Sequence, residues 1–253
     1  VELVRRGLFP TRALAQRAIA EGRVVVSGVT AARPSTLVAE SGSLQVSTEG
    51  KRWASRGGLK LAAALQAFQV EPAGRRCLDV GASTGGFTDV LLAEGAREVV
   101  AVDVGYGQLD WRLRADQRVT VVDRTNFRTA DPATLGAPFE VVVADVSFIS
   151  LTLLSANLAA CGESGTEYVV LVKPQFEVGR EQVGRRGVVT DPQRHASAVR
   201  RVAAAFLAEG LGPRRVCASP IAGASGNREF FLHARKGAPA VLSEEEVDQA
   251  VAR

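Results

Sequence analysis

The sequence predicts an α/β fold, a doubly wound parallel sheet preceded by a small α+β module. Three observations carry this expectation. The first is the stretch Arg76–Asp103. There an apolar run ending in Asp79 leads into the turn Gly81-Ala82-Ser83-Thr84-Gly85-Gly86, then a helical segment from about Phe87 to Glu94 closed by Gly95, so that an acid is expected to close each strand. A second apolar run, Val99–Val102, ends in Asp103. The second observation is repetition. Runs at Cys77–Val80, Val99–Val102, Val119–Val122, Phe139–Ala144 and Tyr168–Val172 alternate with helical stretches, as in a parallel sheet. The third is the ending. Arg214–Ala218 and Phe230–His233 are separated only by SPIAGASGNRE, short for a crossover helix, so they should pair antiparallel.

The elements divide into three parts: residues 1–48 as the small module, 49–55 as a polar connector, and 56–253 as the sheet domain. In the first, a short helical pattern over Glu2–Arg6 stops at Gly7. Thr11 is placed to cap a second helix whose Leu14, Ala15, Ala18 and Ile19 form an apolar face. Strands at Val24–Val26 and Leu44–Val46 follow, with a Ser27-Gly28 turn and a loop at Pro34. Arg5, Arg6, Arg12, Arg17 and Arg23 crowd this region. Trp53 in the connector is placed to pack on a neighbouring domain. Then Arg56-Gly57-Gly58-Leu59-Lys60 opens a helix with Leu61, Leu65 and Phe68 on its core face.

Composition excludes several classes. With 253 residues and 46% hydrophobic content, a core of good size can form. The net charge of +4 fits a polyanionic partner. Cys77, Cys161 and Cys217 have irregular spacing and lie in or beside apolar runs, so no disulfide framework or zinc site is expected. His195 and His233 lack ligand-like companions, and no metal site is expected. No apolar run is long enough to span a membrane, and no secretory signal is present, so a cytoplasmic protein is expected. Since the chain contains no Met, residues are expected ahead of Val1.

In an open α/β sheet, ligands sit outside the carboxyl ends of the strands. Glycines in the first turn let a ligand approach the backbone closely. A dinucleotide site would call for G-x-G-x-x-G, with a pyrophosphate on the helix N-terminus. Here the pattern is D-x-G-x-x-x-G-G, a poor match. The unit resembles motif I of the Rossmann-like methyltransferases, whose cofactor S-adenosylmethionine (AdoMet) has a ribose but no phosphate. Seven strands with a closing hairpin fit that resemblance. It implies cofactor contacts from Asp79, Gly81, Ala82, Ser83, Gly85, Gly86 and Phe87. Asp103 and Val104 would meet the ribose side, Asp123 would border the adenine, and Asp145 would touch cofactor and substrate alike.

Charged groups mark several strand ends. Asp103, Asp123, Asp145 and Lys173 each follow an apolar run, and Glu229 precedes the last one. In a parallel sheet such ends converge on one crevice, an arrangement suited to proton transfer. Lys60, Asp145, Lys173 and Glu229, taken in order around LDVGASTGGFT, resemble the K-D-K-E tetrad of the FtsJ-type ribose 2'-O-methyltransferases. TRALAQRAIAEGRVVVSGVTAARPSTLV is similar to the S4-like RNA-binding module. SRGGLKL, DVGYGQLDWRLR, ADVSFISL, LVKPQFEVGREQVGRRGVV and GNREFFL resemble the TlyA (haemolysin A) family of rRNA methyltransferases along essentially the whole chain. The linker departs from that family's mycobacterial members. They carry R-x-W-V where this chain has Lys51-Arg52-Trp53-Ala54.

The resemblance implies methyl transfer to a ribose 2'-oxygen of rRNA, a cytidine in one or both ribosomal subunits. Lys173 would be the base, held by Asp145 and Glu229, with Lys60 orienting the hydroxyl. The front arginines, with Arg180, Arg185 and Arg186 beside the crevice, would contact RNA phosphates. Three other readings compete. A membrane-lysing toxin would call for a spanning segment or a long amphipathic helix of strong apolar face, which this sequence does not offer. A non-catalytic RNA-binding or assembly factor has no need of an intact tetrad. A base methyltransferase would favour an Asn/Asp-Pro-Pro-aromatic motif where this chain reads Asp145-Val146-Ser147-Phe148.

Overall fold

The computed structural model describes residues 2–20, 24–26, 29–31, 33–36, 38, 42–46, 53–184, 187–223 and 225–252. Arg23, the Ser27-Gly28 turn, residues 47–52 of the connector region, Arg185 and Arg186 lie outside the described residues, as do the side chains of Arg17 and Arg180.

The N-terminal part carries α1 (Glu2–Arg5), α2 (Arg12–Ala20), β1 (Val24–Val26), β2 (Val29–Thr30) and β3 (Leu44–Val46). The strands form an antiparallel sheet in the order β2-β1-β3. Its small core holds Leu3, Ala15, Ala18, Ile19, Val24 and Ala31. The Thr11 hydroxyl accepts a hydrogen bond from Leu14 N–H at 3.2 Å, as expected of a helix cap. Leu14 itself is exposed rather than on the core face. With so few apolar residues here, only the inner stripe of α2 finds cover.

The larger part begins with α3 (Gly57–Phe68) and continues through β4 (Arg76–Val80), α4 (Gly86–Ala93), β5 (Glu98–Val102), α5 (Trp111–Arg114), β6 (Val119–Val122) and β7 (Phe139–Ala144). Next come α6 (Ser155–Ala160), β8 (Gly162–Val172), α7 (Pro174–Glu177), α8 (Pro192–Ala208), β9 (Leu211–Ala218), β10 (Phe230–Lys236) and α9 (Glu244–Ala252). The seven strands are ordered β6-β5-β4-β7-β8-β10-β9. Pairing is parallel from β6 to β8, and β10 runs antiparallel to both β8 and β9. All seven expected runs are strands, and the closing hairpin is antiparallel.

Period-2 alternation builds two apolar layers. Leu78, Val142, Val170 and Leu232 face the side covered by α6, α8 and α9. Cys77, Val141, Val169 and Phe231 face α3, α4 and α5. Trp53 and Ala54 are buried in this second layer, so the end of the connector is packed onto the sheet domain. Gly58 makes that possible, because a Cβ there would run into the Trp53 side chain.

One expectation fails. Helices were to alternate with the first five strands, but residues 123–138 between β6 and β7 contain no helix. Phe127 and Leu135 still reach the core, and the Asn157 amide bonds the carbonyls of Phe127 and Ala130, so a turn-built segment covers the sheet in a helix's place. The three cysteines are unbridged, with Cys77 and Cys161 buried and Cys217 half-buried. Burial pushes the Cys77 and Cys161 thiols up to about 12 and that of Cys217 to about 11.

Candidate active site

The strand order reverses between β4 and β7, and a cavity of about 970 Å³ opens there at the carboxyl edge of the sheet. The glycine turn after β4 forms one wall, with Gly81, Ala82, Ser83, Thr84, Gly86 and Phe87 all lining it. The turn is held from below. Gly81 N–H donates to Val102 O at 2.8 Å, and Ser83 N–H to Asp103 Oδ2 at 2.8 Å. Gly81 has φ +83°, and a Cβ there would lie 2.6 Å from the Asp145 carbonyl. The turn therefore packs against the start of the segment after β7, an approach that only glycine allows, and its residues line the cavity as a cradle.

The opposite wall carries the four tetrad positions. Phe230 pairs with Val172, so Glu229, just before β10, and Lys173, just after β8, meet at the same edge. Asp145 follows β7, and Lys60 reaches in from the first turn of α3. Lys60 Nζ donates to Glu229 Oε2 at 2.6 Å. Lys173 Nζ is 2.6 Å from Asp145 Oδ1 and donates to Ser147 Oγ at 2.8 Å. Both lysines are only 8% exposed, and all four residues line the cavity. The bland alternative of a solvated Lys60 is thereby removed. The expected arrangement is also modified. Glu229 pairs with Lys60 and Asp145 with Lys173, where both acids were expected to hold Lys173.

Other expected positions fall elsewhere. Asp79 does not line the cavity. It lies inside β4, is 0% exposed, and accepts a bond from Thr88 Oγ1 at 2.6 Å. Burial without a cation pushes its carboxyl up to about 7. Gly85 also stands back from the cavity, with φ +94° against Leu109 and Leu113. Asp103, Val104 and Asp123 lie outside the cavity lining as well. Asp103 accepts bonds from the N–H groups of Ser83 and Gly105. Asp123 accepts from Arg114 at 2.7 Å, and this partner holds its carboxyl below the usual range. Val104 is exposed.

In the N-terminal part, Arg12 is exposed, while Arg5 and Arg6 both bond Glu2. Arg5 first and then Arg6 pull that carboxyl down to about 2. A phosphate would have to compete with Glu2 for these two arginines.

Several lining residues lie inside the quoted motifs but were given no role from the sequence. Ser147, Phe148, Gln175, Phe176 and Asn227 all border the cavity. Phe148 is 90% exposed, has φ +65°, and packs its ring against Phe176 at 5.2 Å. Asn227 is buried and clamps the segment after Lys173. Its Oδ1 accepts from Val189 N–H at 2.9 Å, and its Nδ2 donates to Gly187 O at 2.8 Å. Nearby, buried Glu177 accepts from Leu151 N–H at 2.8 Å and from the Ser150 hydroxyl. Desolvation pushes the Glu177 carboxyl above its usual range. His195 Nε2 lies 2.8 Å from Val189 O, and His233 Nε2 2.7 Å from Glu167 Oε2.

A seven-stranded sheet with one antiparallel strand and a glycine cradle at its switch point defines a Rossmann-like methyltransferase fold. The comparisons narrow the class. The FtsJ-like methyltransferase family matches residues 53–236, and the S4 domain matches residues 1–42. The chain belongs to the FtsJ-like methyltransferase family and carries an S4 domain at its N-terminus. It is 50% identical, over 100% of its own length and 94% of the relative's, to the 16S/23S rRNA (cytidine-2'-O)-methyltransferase TlyA of Mycobacterium tuberculosis. It is 34% identical to Hemolysin A of Brachyspira hyodysenteriae, covering 90% of this chain and 95% of that protein. A Streptococcus thermophilus structure titled as a hemolysin superposes with a TM-score of 0.79 at 39% identity, covering 99% of this chain and 92% of that one. Among the described residues no helix is long and apolar enough to cross a membrane.

Proposed function

We propose that this protein transfers a methyl group from AdoMet to a ribose 2'-oxygen of ribosomal RNA, with a cytidine in one or both subunits as target. It would work in the cytoplasm on RNA carried by a ribosomal subunit or ribosome. One observation carries the reading: two lysine–carboxylate pairs line the same cavity as the glycine cradle. Membership of the FtsJ-like family and the 50% identity to TlyA support it.

The residues present fit the cofactor. Gly81, Ala82, Ser83 and Gly86 would hold its amino-acid part, with Phe87 beside them, and Asp103 would accept from its ribose hydroxyls. When bound, AdoMet supplies a methyl group already activated on a sulfonium. The protein's task is then to make a weak nucleophile out of a ribose hydroxyl. Lys173 Nζ takes the hydroxyl proton as the oxygen attacks, and Asp145 fixes Nζ in place. Lys60, tied to Glu229, lies on the same wall and orients the acceptor ribose. Alignment of the attacking oxygen supplies much of the rate. The exposed Arg12, with Arg5, Arg6, Arg17, Arg23 and Arg180, Arg185 and Arg186, would neutralise phosphates.

The test is transfer of labelled methyl from AdoMet to purified small and large ribosomal subunits, comparing wild type with Lys173→Ala. Label recovered as a 2'-O-methylated nucleoside, and lost in the variant, is the expected result. Bound AdoMet with no label on either subunit would replace this reading with a non-catalytic RNA-binding factor.

A further inference from the structure

We propose that Ser147 is a positioning residue for the methyl-accepting step, aiming Lys173 at the substrate hydroxyl. The inference rests on the reading of Lys173 as the base and adds to it a residue outside the tetrad.

The argument starts from the lysine side chain. Its stem is long and flexible, and its nitrogen is a compact point charge. One ion pair fixes how far that nitrogen sits from a carboxylate but leaves it free to rotate about the pair. Two contacts fix a direction. Beyond its bond to Cε, Nζ has three tetrahedral positions. Ser147 Oγ at 2.8 Å takes one as a hydrogen bond, while Asp145 Oδ1 at 2.6 Å holds the nitrogen as an ion pair without hydrogen-bond geometry. The other positions are left toward the cavity that Lys173 lines. In the amine form one N–H bond goes to Ser147, and the lone pair takes one of the positions that remain. It accepts the 2'-hydroxyl proton while the new oxygen–carbon bond forms and the carbon–sulfur bond breaks. Without Ser147, the lone pair and the N–H bonds exchange places freely, and fewer encounters have the geometry for reaction.

Two features show that this contact is not a by-product of packing. Ser147 is exposed, so no core requirement turns its hydroxyl toward a buried lysine. The next residue, Phe148, adopts φ +65°, a conformation that costs energy for a side chain of this size. The chain bends at Phe148, and Ser147 faces Lys173. Among the described residues the other charged groups lining the cavity are Arg56, Asp145, Lys60 and Glu229, and Lys60 donates to Glu229.

The experiment measures kcat and RNA KM for methyl transfer to ribosomal subunits, with AdoMet Kd taken separately by calorimetry without RNA. It uses the full chain as wild type, Ser147→Ala and Ser147→Thr. Loss of a hydrogen bond to a charged group predicts a fall in kcat of about tenfold or more for Ser147→Ala. RNA KM and AdoMet Kd should stay within about twofold, and Ser147→Thr, which keeps the hydroxyl, should recover most of the loss. A wild-type kcat in Ser147→Ala overturns the inference. So does a loss confined to RNA KM, or a threonine variant no better than alanine. Failure of the wild type to transfer methyl would instead sink the proposed activity itself, so the two failures are distinguishable.

Discussion

The two lysine–carboxylate pairs share one cavity but differ in exposure. Lys60–Glu229 is sealed, with the two side chains 11% and 3% exposed. Lys173–Asp145 is open on its acid side, where the Asp145 side chain is 22% exposed, and its lysine is shared with Ser147. The sealed pair ties the first turn of α3 to the start of β10 and acts as a strut. The open pair stands where a substrate can reach it. In the proposed reaction both pairs act, Lys60–Glu229 on the acceptor ribose and Lys173–Asp145 on its proton, and water access is what separates them.

The largest expected effect tests the reactive pair. Lys173→Ala should lower methyl transfer by about a thousandfold while AdoMet affinity, read by calorimetry, changes little. Stability should rank the pairs the other way. Glu229→Ala leaves a buried ammonium without its acid and should cost about 3 kcal/mol in chemical denaturation. Asp145→Ala, beside water and Ser147, should cost about 1 kcal/mol. Equal costs would break the distinction between strut and reactive pair. A Lys60→Met/Glu229→Leu double variant should recover much of the stability lost in Glu229→Ala, though not the activity.

Asp79 sharpens the comparison, because it is a buried acid with a threonine in place of a lysine. Its carboxyl is raised to about 7 in the folded chain. Between about pH 4 and 7 the folded state therefore holds a proton that the unfolded state has released. Stability from this group is present at low pH and falls as pH rises through that window, by on the order of 4 kcal/mol. Asp79→Asn should flatten that part of the stability-versus-pH curve, as followed by denaturant titration at several pH values. Asn227→Ala, outside both pairs, tests the loop clamp. It strands Val189 N–H and Gly187 O and should cost about 2 kcal/mol. Limited proteolysis should then find faster cutting between Glu177 and Val189.

Much of the sheet was legible because apolar runs closed by single charges leave little choice of element. The acids show where that reading stops. Asp103, Asp123 and Asp145 each come one residue after their strand, where a side chain can turn into the crevice. Asp79 comes one residue before the end of β4, so strand alternation points it into the α3–α4 layer. Its place in an L-D-V-G run looks the same as theirs until the strand boundary is known. The pairing of Lys60 with Glu229 spans 169 positions and leaves no local trace. Ser147 and Asn227 were missed for a related reason, since a hydroxyl or an amide in a loop has no periodicity to betray it. The segment 123–138 misled because its apolar residues reach the core from turns.

The contact between Gly81 and the Asp145 carbonyl has a further consequence. In the proposed reaction the two turns that begin there have different jobs, one toward the cofactor and the other toward the acceptor. A methyl group's thickness at position 81 would force them apart, and Asp145 N–H is bonded to Val80 O at 3.0 Å just beneath. The two turns are therefore packed backbone to backbone. Were AdoMet to raise RNA affinity through this contact, RNA would raise AdoMet affinity by the same factor.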